Sequence, residues 1–187
     1  MGLIRTPDRY RLHPSGPGRV VDVGCGNAKY PGAIVIDSAP SSDADVIADL
    51  DQVPWPIEDD SADQIICQDV IEHLDDPDSA VAQMHRIGAP GCRIHLRTPH
   101  FSSVLAYGDP SHRHVLSTMT IKSFATPLYG GEDWPQFRLV HVTLDFWDPL
   151  RWLFIDRLAN RYQGVYESLF AFRFPAMNIR AELEVVK

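Results

Sequence analysis

Cysteine is scarce in this chain, and long apolar runs are missing. Cys25, Cys67 and Cys92 are odd in number and show no metal-type pairing, which argues against a disulfide framework and points to a reducing, cytoplasmic setting. No apolar stretch approaches the roughly 18 residues of a membrane-spanning helix, so no span is expected. The segment 1–18 is polar, rich in Arg, Pro and Gly, and without the apolar centre of a signal peptide; it reads as a surface arm. Positive charge is short as well. With 17 Lys and Arg against 25 Asp and Glu the formal charge is -8, and phosphate binding needs a basic face, so no nucleic-acid partner is expected. Low-complexity tracts are absent. A chain of 187 residues with 44% hydrophobic and 22% charged residues fits one globular domain with its own core, and leaves no room for a large second one.

What is present begins at Val20-Val21-Asp22-Val23, a β-branched run that suits a strand covered on both faces. Gly24 and Gly26 follow at once. Without a Cβ they can take positive φ and let a ligand lie against the backbone. Alone, the pair is as well read as a tight turn. Asp37 changes that, because it ends the next apolar run, Ala33 to Ile36, and an acid there can accept from both hydroxyls of a ribose. Together they predict a nucleoside site. A third glycine is missing: Ala28 stands near its place, and the dinucleotide pattern G-x-G-x-x-G fails at Lys29, so a hydride-transfer enzyme ranks lower. The connection from Asn27 to Gly32 is also short for a crossover normally built with about a dozen residues, which predicts a first helix cut to about one turn.

The set D-V-G-C-G-N (22–27), an acid after the next strand, A-D-L (48–50) and D-V-I-E-H-L (69–74) resembles the class I S-adenosylmethionine-dependent methyltransferases over about Arg19 to Phe101. It is most similar to small methyltransferase-domain proteins, type 11-like, in which a K-x-P-G segment follows the turn, here Lys29-Tyr30-Pro31-Gly32, and a later loop carries G-D-P-x-H, here Gly108 to His112. The resemblance implies a three-layer α/β/α Rossmann-like methyltransferase fold, with a mostly parallel seven-stranded sheet of order 3-2-1-4-5-7-6 whose last strand is antiparallel. It implies S-adenosylmethionine as cofactor, held by Asp22, Gly24, Gly26, Asp37, Ser38, Asp49, Leu50 and Gln68, with Lys29 in reach of the methionine carboxylate or simply a surface lysine. Asp49 would sit beside the adenine and Leu50 over its ring. Residues 1–187 then form a single methyltransferase domain: an arm (1–18), a cofactor half (19–101) and a substrate-facing half (102–187) with a helical insertion at about 148–174.

Trp55 reads as a packing anchor. Glu72 and His73 read as support for the site from a helical turn, not as the reacting groups. Asp76-Pro77 opens a helix, with the aspartate as cap and proline in the first turn, and Ala80, Val81, Met84 and Ile87 give it a buried face. Arg93-Ile94-His95-Leu96-Arg97 alternates, which is unusual for a central parallel strand and suggests a polar cavity or a thinner cover on one face. Ser117 or Thr118 caps a short helix through Phe124. Phe137 to Phe146 is a long strand, a helical stretch follows from Leu150 towards Phe174 with a break at Gly164, and Met177 to Val186 is the last strand. The aromatics of that stretch suit core or lid; an apolar acceptor pocket, a homodimer face or a lipid-facing surface is the other use.

Proton-handling groups crowd the loop after the fifth strand, which in this fold faces the methyl to be transferred. His100, His112 and His114 are the candidate bases, with Tyr107 and Asp109 as substrate contacts. Transfer is an in-line displacement helped mainly by alignment, and a base is needed only for a poorly ionised hydroxyl or a protonated amine. Bracing of the loop by Asp109 and His112 is the plainer use of those two. The rival reading is a metal bound by His100, Asp109, His112 and His114; no zinc signature appears and H-x-H does not suit one helical face, so no metal is expected. The expected acceptor is a small molecule, such as a glycan or a natural-product precursor. The competing function is a binder of the same nucleoside that regulates or scaffolds and transfers nothing.

Overall fold

The computed structural model describes residues 18–26, 29–126, 134–148 and 154–187; the N-terminal arm (1–17), Asn27, Ala28 and the start of the expected insertion lie outside them. Seven strands form one sheet: β1 (Val20–Val23), β2 (Ile34–Asp37), β3 (Val46–Ile47), β4 (Ala62–Gln68), β5 (Gly88–Pro99), β6 (Phe137–Asp145) and β7 (Asn178–Val185). Their order is β3-β2-β1-β4-β5-β7-β6, with β1 to β5 parallel and β7 antiparallel to both neighbours. This is the expected topology. The β-branched runs of β1 and β4 lie in register, Val21 beside Ile65 and Val23 beside Cys67, and all four are buried.

Among the described residues the helices are α1 (Pro77–Ile87), α2 (Val104–Gly108), α3 (Thr118–Ala125), α4 (Ile155–Arg161) and α5 (Gln163–Leu169), with a 3-10 turn over Ile71–His73. Asp76 caps α1 by accepting from the N–H groups of Asp78 and Ser79, and Ala80, Val81, Met84 and Ile87 are its buried face. Burying each of the three larger side chains is worth about 2 kcal/mol, an upper figure because the unfolded chain already hides part of that surface. The helix passes straight into β5 at Gly88. A Cβ there would stand 2.9 Å from Val185 and 3.0 Å from the Met84 carbonyl, which is why so tight a junction needs glycine. Ser117 caps α3 in a capping box with Thr120.

Trp55 is buried as an anchor. Its indole N–H donates to the Leu50 carbonyl, and its backbone bonds to Gln83 and Arg86 on α1. The alternation of β5 is explained by its antiparallel neighbour. Arg93, His95 and Arg97 stand opposite Glu184, Glu182 and Arg180 of β7, giving one charged face, while Ile94 and Leu96 enter the core with Leu183 and Ala181. Arg93 bridges Glu182 and Glu184, and Arg180 pairs with Asp145 of β6.

The aromatic stretch divides. Tyr166 is buried and its hydroxyl donates to the Phe174 carbonyl, whereas Phe154, Tyr162, Phe170 and Phe172 remain exposed. The break between α4 and α5 falls at Tyr162, whose φ of -129° and ψ of 52° leave the helical region, not at Gly164 as the sequence suggested.

Candidate active site

The proposed cofactor residues gather where β1, β2, β3 and β4 end, at the carboxyl edge of the parallel sheet. Gly24 and Gly26 both have positive φ, 68° and 53°. At Gly24 a Cβ would stand 2.4 Å from a Val70 methyl, so the turn after β1 is packed directly on the turn after β4. Asp37 ties the crevice together: one carboxylate oxygen accepts from the Gly26 N–H at 2.7 Å and the other from the Ala39 N–H at 2.8 Å. Each oxygen keeps a lone pair for a further donor. Asp22 is buried and accepts from the Tyr30 N–H, which fixes the short segment leading to β2. Among the described residues of that segment, Lys29 to Gly32, there is no helix, in line with the expected cut.

Ser38 and Asp49 are exposed at the ends of β2 and β3, and Gln68 is buried at the end of β4. Lys29 and Leu50 are engaged within the protein. Lys29 is engaged by both oxygens of Asp45 at 2.6 Å, and that contact with the ammonium holds the Asp45 carboxyl below its usual range. Leu50 is only 6% exposed and belongs to the main core, so it offers little surface to a ring. The donors and acceptors at the strand ends fit a nucleoside, since Asp37 keeps acceptor capacity beside the turn of Gly24 and Gly26.

Beside this crevice lies a cavity of about 350 Å³, lined by Asp69, Glu72, His73, Arg97, Asp109 and His112 together with the apolar Pro99, Leu105 and Met177. Glu72 is 1% exposed. Burial pushes its carboxyl up to about 7. One oxygen accepts from the Thr98 hydroxyl at 3.0 Å, and the other, Oε1, has no partner among the described residues and lies 4.0 Å from His112 Nε2. His112 Nδ1 lies 3.1 Å from the Ala106 carbonyl, which can only accept, so the ring proton is on Nδ1. His73 packs edge-on against His112 at 4.6 Å between ring centres, and burial together with that neighbour lowers its pKa.

Of the candidate bases, only His112 lines this cavity. His100 is 0% exposed: its Nδ1 accepts from the Ser102 N–H and its Nε2 lies 3.2 Å from Glu167, so it joins the loop to α5 and has no open face for an acceptor. The His114 backbone N–H donates to the Glu72 carbonyl, and its ring lies among the charges of Asp76 and Asp78 at the start of α1. Tyr107 on α2 is 64% exposed and outside the cavity lining. Asp109 lines the rim and braces the loop, accepting from the Ser111 N–H and hydroxyl; these bonds lower its pKa. His100, Asp109, His112 and His114 are therefore not brought together as a set.

Arg97 and Asp69 line the cavity without a site role expected from the sequence. Arg97 looked like one polar position of an alternating strand, yet its buried guanidinium pairs with Asp69 at the cavity wall. Glu72 and His73 were expected to support the site, and they line it. The readable signal was an E-H pair directly after a strand end, followed by a histidine-rich loop.

Residues 21–96 match the family described as Methyltransferase domain. Several solved structures share the fold. A S-adenosylmethionine-dependent methyltransferase from Mesorhizobium loti is 17% identical, with 94% of each chain covered and a TM-score of 0.57. The N-methyltransferase NodS from Bradyrhizobium japonicum, solved with S-adenosyl-L-homocysteine, is 14% identical over 92% of this chain and 81% of its own, with a TM-score of 0.57. The [4+2]-cyclase SpnF is 14% identical over 91% of this chain and 76% of its own, with a TM-score of 0.58. No curated protein matches the chain by sequence. The matched methyltransferase-domain segment covers both glycines, the acid after β2 and the E-H turn, and the sheet around it has the order of the class I S-adenosylmethionine-dependent methyltransferase fold, whose cofactor is S-adenosylmethionine.

Proposed function

We propose that the chain moves the methyl group of S-adenosylmethionine to a small polar acceptor seated in the cavity between Asp69 and His112. One observation carries this reading. Val70 packs on Gly24 while its neighbour Asp69 lines the cavity, so the donor's glycine turn and the acceptor's cavity share a wall one residue thick. Asp37 would hold the ribose, Gly24 and Gly26 would let the methionine part lie along the backbone, and Gln68 and Asp49 would close the two ends of the cofactor. The cavity is of small-molecule size, and its largely apolar wall carries the polar groups of Asp69, Glu72, His73, Arg97, Asp109 and His112, which suits a small acceptor with a few polar groups, such as a glycan or a natural-product precursor.

Bound S-adenosylmethionine would supply an electrophilic methyl on its sulfonium sulfur, which the acceptor atom would take, with S-adenosylhomocysteine as the leaving product. The acceptor's proton has nearby destinations, because His112 Nε2 and Glu72 Oε1 both present lone pairs to the cavity. Titration calorimetry with S-adenosylmethionine and S-adenosylhomocysteine, on wild type and Asp37→Ala, is the test. Binding that the substitution weakens at least tenfold supports the reading, and equal weak binding by both proteins overturns it. SpnF, named for a cyclase activity on the same fold, gives weight to a second reading in which the nucleoside is bound but no methyl moves. Tight binding with no transfer across a panel of acceptors would favour that one.

A further inference from the structure

Glu72, His73 and His112 each present a ligand atom, and all three atoms lie within 4.8 Å of one another. Their hydrogen bonds decide what those atoms offer. His112 donates its Nδ1 proton to the Ala106 carbonyl, which leaves the lone pair of the ring on Nε2. The Ser111 hydroxyl donates to Asp109, so the same oxygen accepts from His73 Nδ1 at 3.0 Å, and the lone pair of that ring is likewise left on Nε2. Thr98 occupies one oxygen of Glu72 and leaves buried Oε1 without a donor among the described residues. Two imidazoles and a carboxylate thus face one cavity as acceptors. Each is oriented from behind by a carbonyl, by a hydroxyl that is itself held by a carboxylate, or by a hydroxyl alone. That is the outer arrangement that fixes metal ligands in place.

We propose that Glu72, His73 and His112 bind one divalent first-row transition-metal ion, and that this ion anchors an oxygen of the acceptor for methylation. Two imidazoles with one carboxylate suit zinc, cobalt, nickel, manganese or iron better than magnesium or calcium, and three protein ligands leave positions open for a substrate. Metal–ligand bonds of about 2.1 Å at tetrahedral angles put ligand atoms roughly 3.4 Å apart, so small rotations of these side chains close the set. This set differs from the His100, Asp109, His112 and His114 cluster visible in the sequence; His112 alone is common to both. With the lone pairs of His112 and Glu72 taken by the ion, they no longer serve as bases; an acceptor hydroxyl on the ion would instead lose its proton to solvent more readily, and its oxygen would displace the sulfonium sulfur, giving a methyl ether and S-adenosylhomocysteine. The acceptor implied is one with an oxygen free to reach a metal.

The anchoring role rests on the methyltransferase reading, whereas binding of the ion does not. The test therefore uses cobalt(II) alone, titrated into the full chain without donor or acceptor and followed by visible d–d absorption. The expected result is saturation at one cobalt per chain, with affinity reduced at least tenfold in Glu72→Gln and in His112→Asn and unchanged in His85→Asn and His141→Asn. If Glu72→Gln does not fold by circular dichroism, His73→Asn replaces it with the same expectation. No cobalt spectrum in wild type, or a spectrum lost only with His85 or His141, overturns the proposal. A failed calorimetric test of S-adenosylmethionine binding leaves this result standing, so the two readings fail separately.

Discussion

Arg97 holds Asp69 from two sides. Its guanidinium Nε–H donates to Asp69 Oδ1 at 3.0 Å, and its carbonyl accepts from the Asp69 N–H at 2.9 Å. Asp69 needs that grip because it has a φ of 56°, in the left-handed region that a non-glycine residue enters at a cost. The strand β5 thereby fixes the turn after β4, which separates the cofactor crevice from the cavity. Asp69→Ala is expected to lower stability by about 2 kcal/mol, the scale of a hydrogen bond to a charged group. It should also reduce acceptor turnover more than cofactor affinity. Urea denaturation and calorimetry with S-adenosylhomocysteine, side by side, check both.

Gly24 has two separable reasons to be glycine. Its positive φ costs an alanine about 1 kcal/mol, and the added Cβ would overlap Val70. Gly24→Ala is therefore expected to destabilise by more than about 2 kcal/mol in total. Adding Val70→Ala should recover the steric part and leave the backbone part. Thermal unfolding of the two variants, with Val70→Ala alone as reference, reads the difference; strictly additive losses would show that the overlap is not what glycine avoids.

His95 gives stability a pH dependence with a definite sign. It is buried in β5, its ring nitrogens have no partner among the described residues, and burial lowers its pKa below 6.5. Glu182 opposes that shift, while His141 and Arg93 add to it. The unfolded chain takes up this proton first as pH falls, so stability should decline on going below pH 6.5. His95→Leu should flatten that decline and cost nothing at pH 7.5. Urea midpoints at several pH values between these limits test it.

Much of the fold was legible in the sequence because several signals coincide at single residues. Asp76 before Pro77 marked a helix start by cap chemistry and by φ together, and the helix begins there. The alternation of Arg93 to Arg97 marked an unusual strand and found its cause in β7. Other features were hidden. Ser103 caps the short helix α2, but the surrounding loop is so rich in polar groups that no periodicity stood out. The three histidines looked equivalent as residue types; burial separates them, and burial depends on α5, which brings Glu167 to His100 across the fold. The gathering of Glu72, His73 and His112 likewise depends on a loop returning over the E-H turn, which Glu72 anchors by accepting from the backbone of Arg113 and His114.

The thiols should be silent in the native state. Cys25, Cys67 and Cys92 are all buried, and burial pushes the Cys92 thiol up to about 12. Its thiolate fraction at pH 8 is then on the order of one in ten thousand. A chromogenic disulfide reagent is expected to find almost no reactive thiol at that pH until denaturant is added. Prompt reaction in buffer would mean that the sheet opens at these positions.

The position of β7 between β5 and β6 has a consequence for biosynthesis. The strand translated after both its neighbours is the one that must slot between them, so each neighbour waits with bare N–H and C=O groups until that strand has left the ribosome. A nascent chain stalled before Asn178 would present two sticky edges at once, and would depend on holding factors to stay in solution.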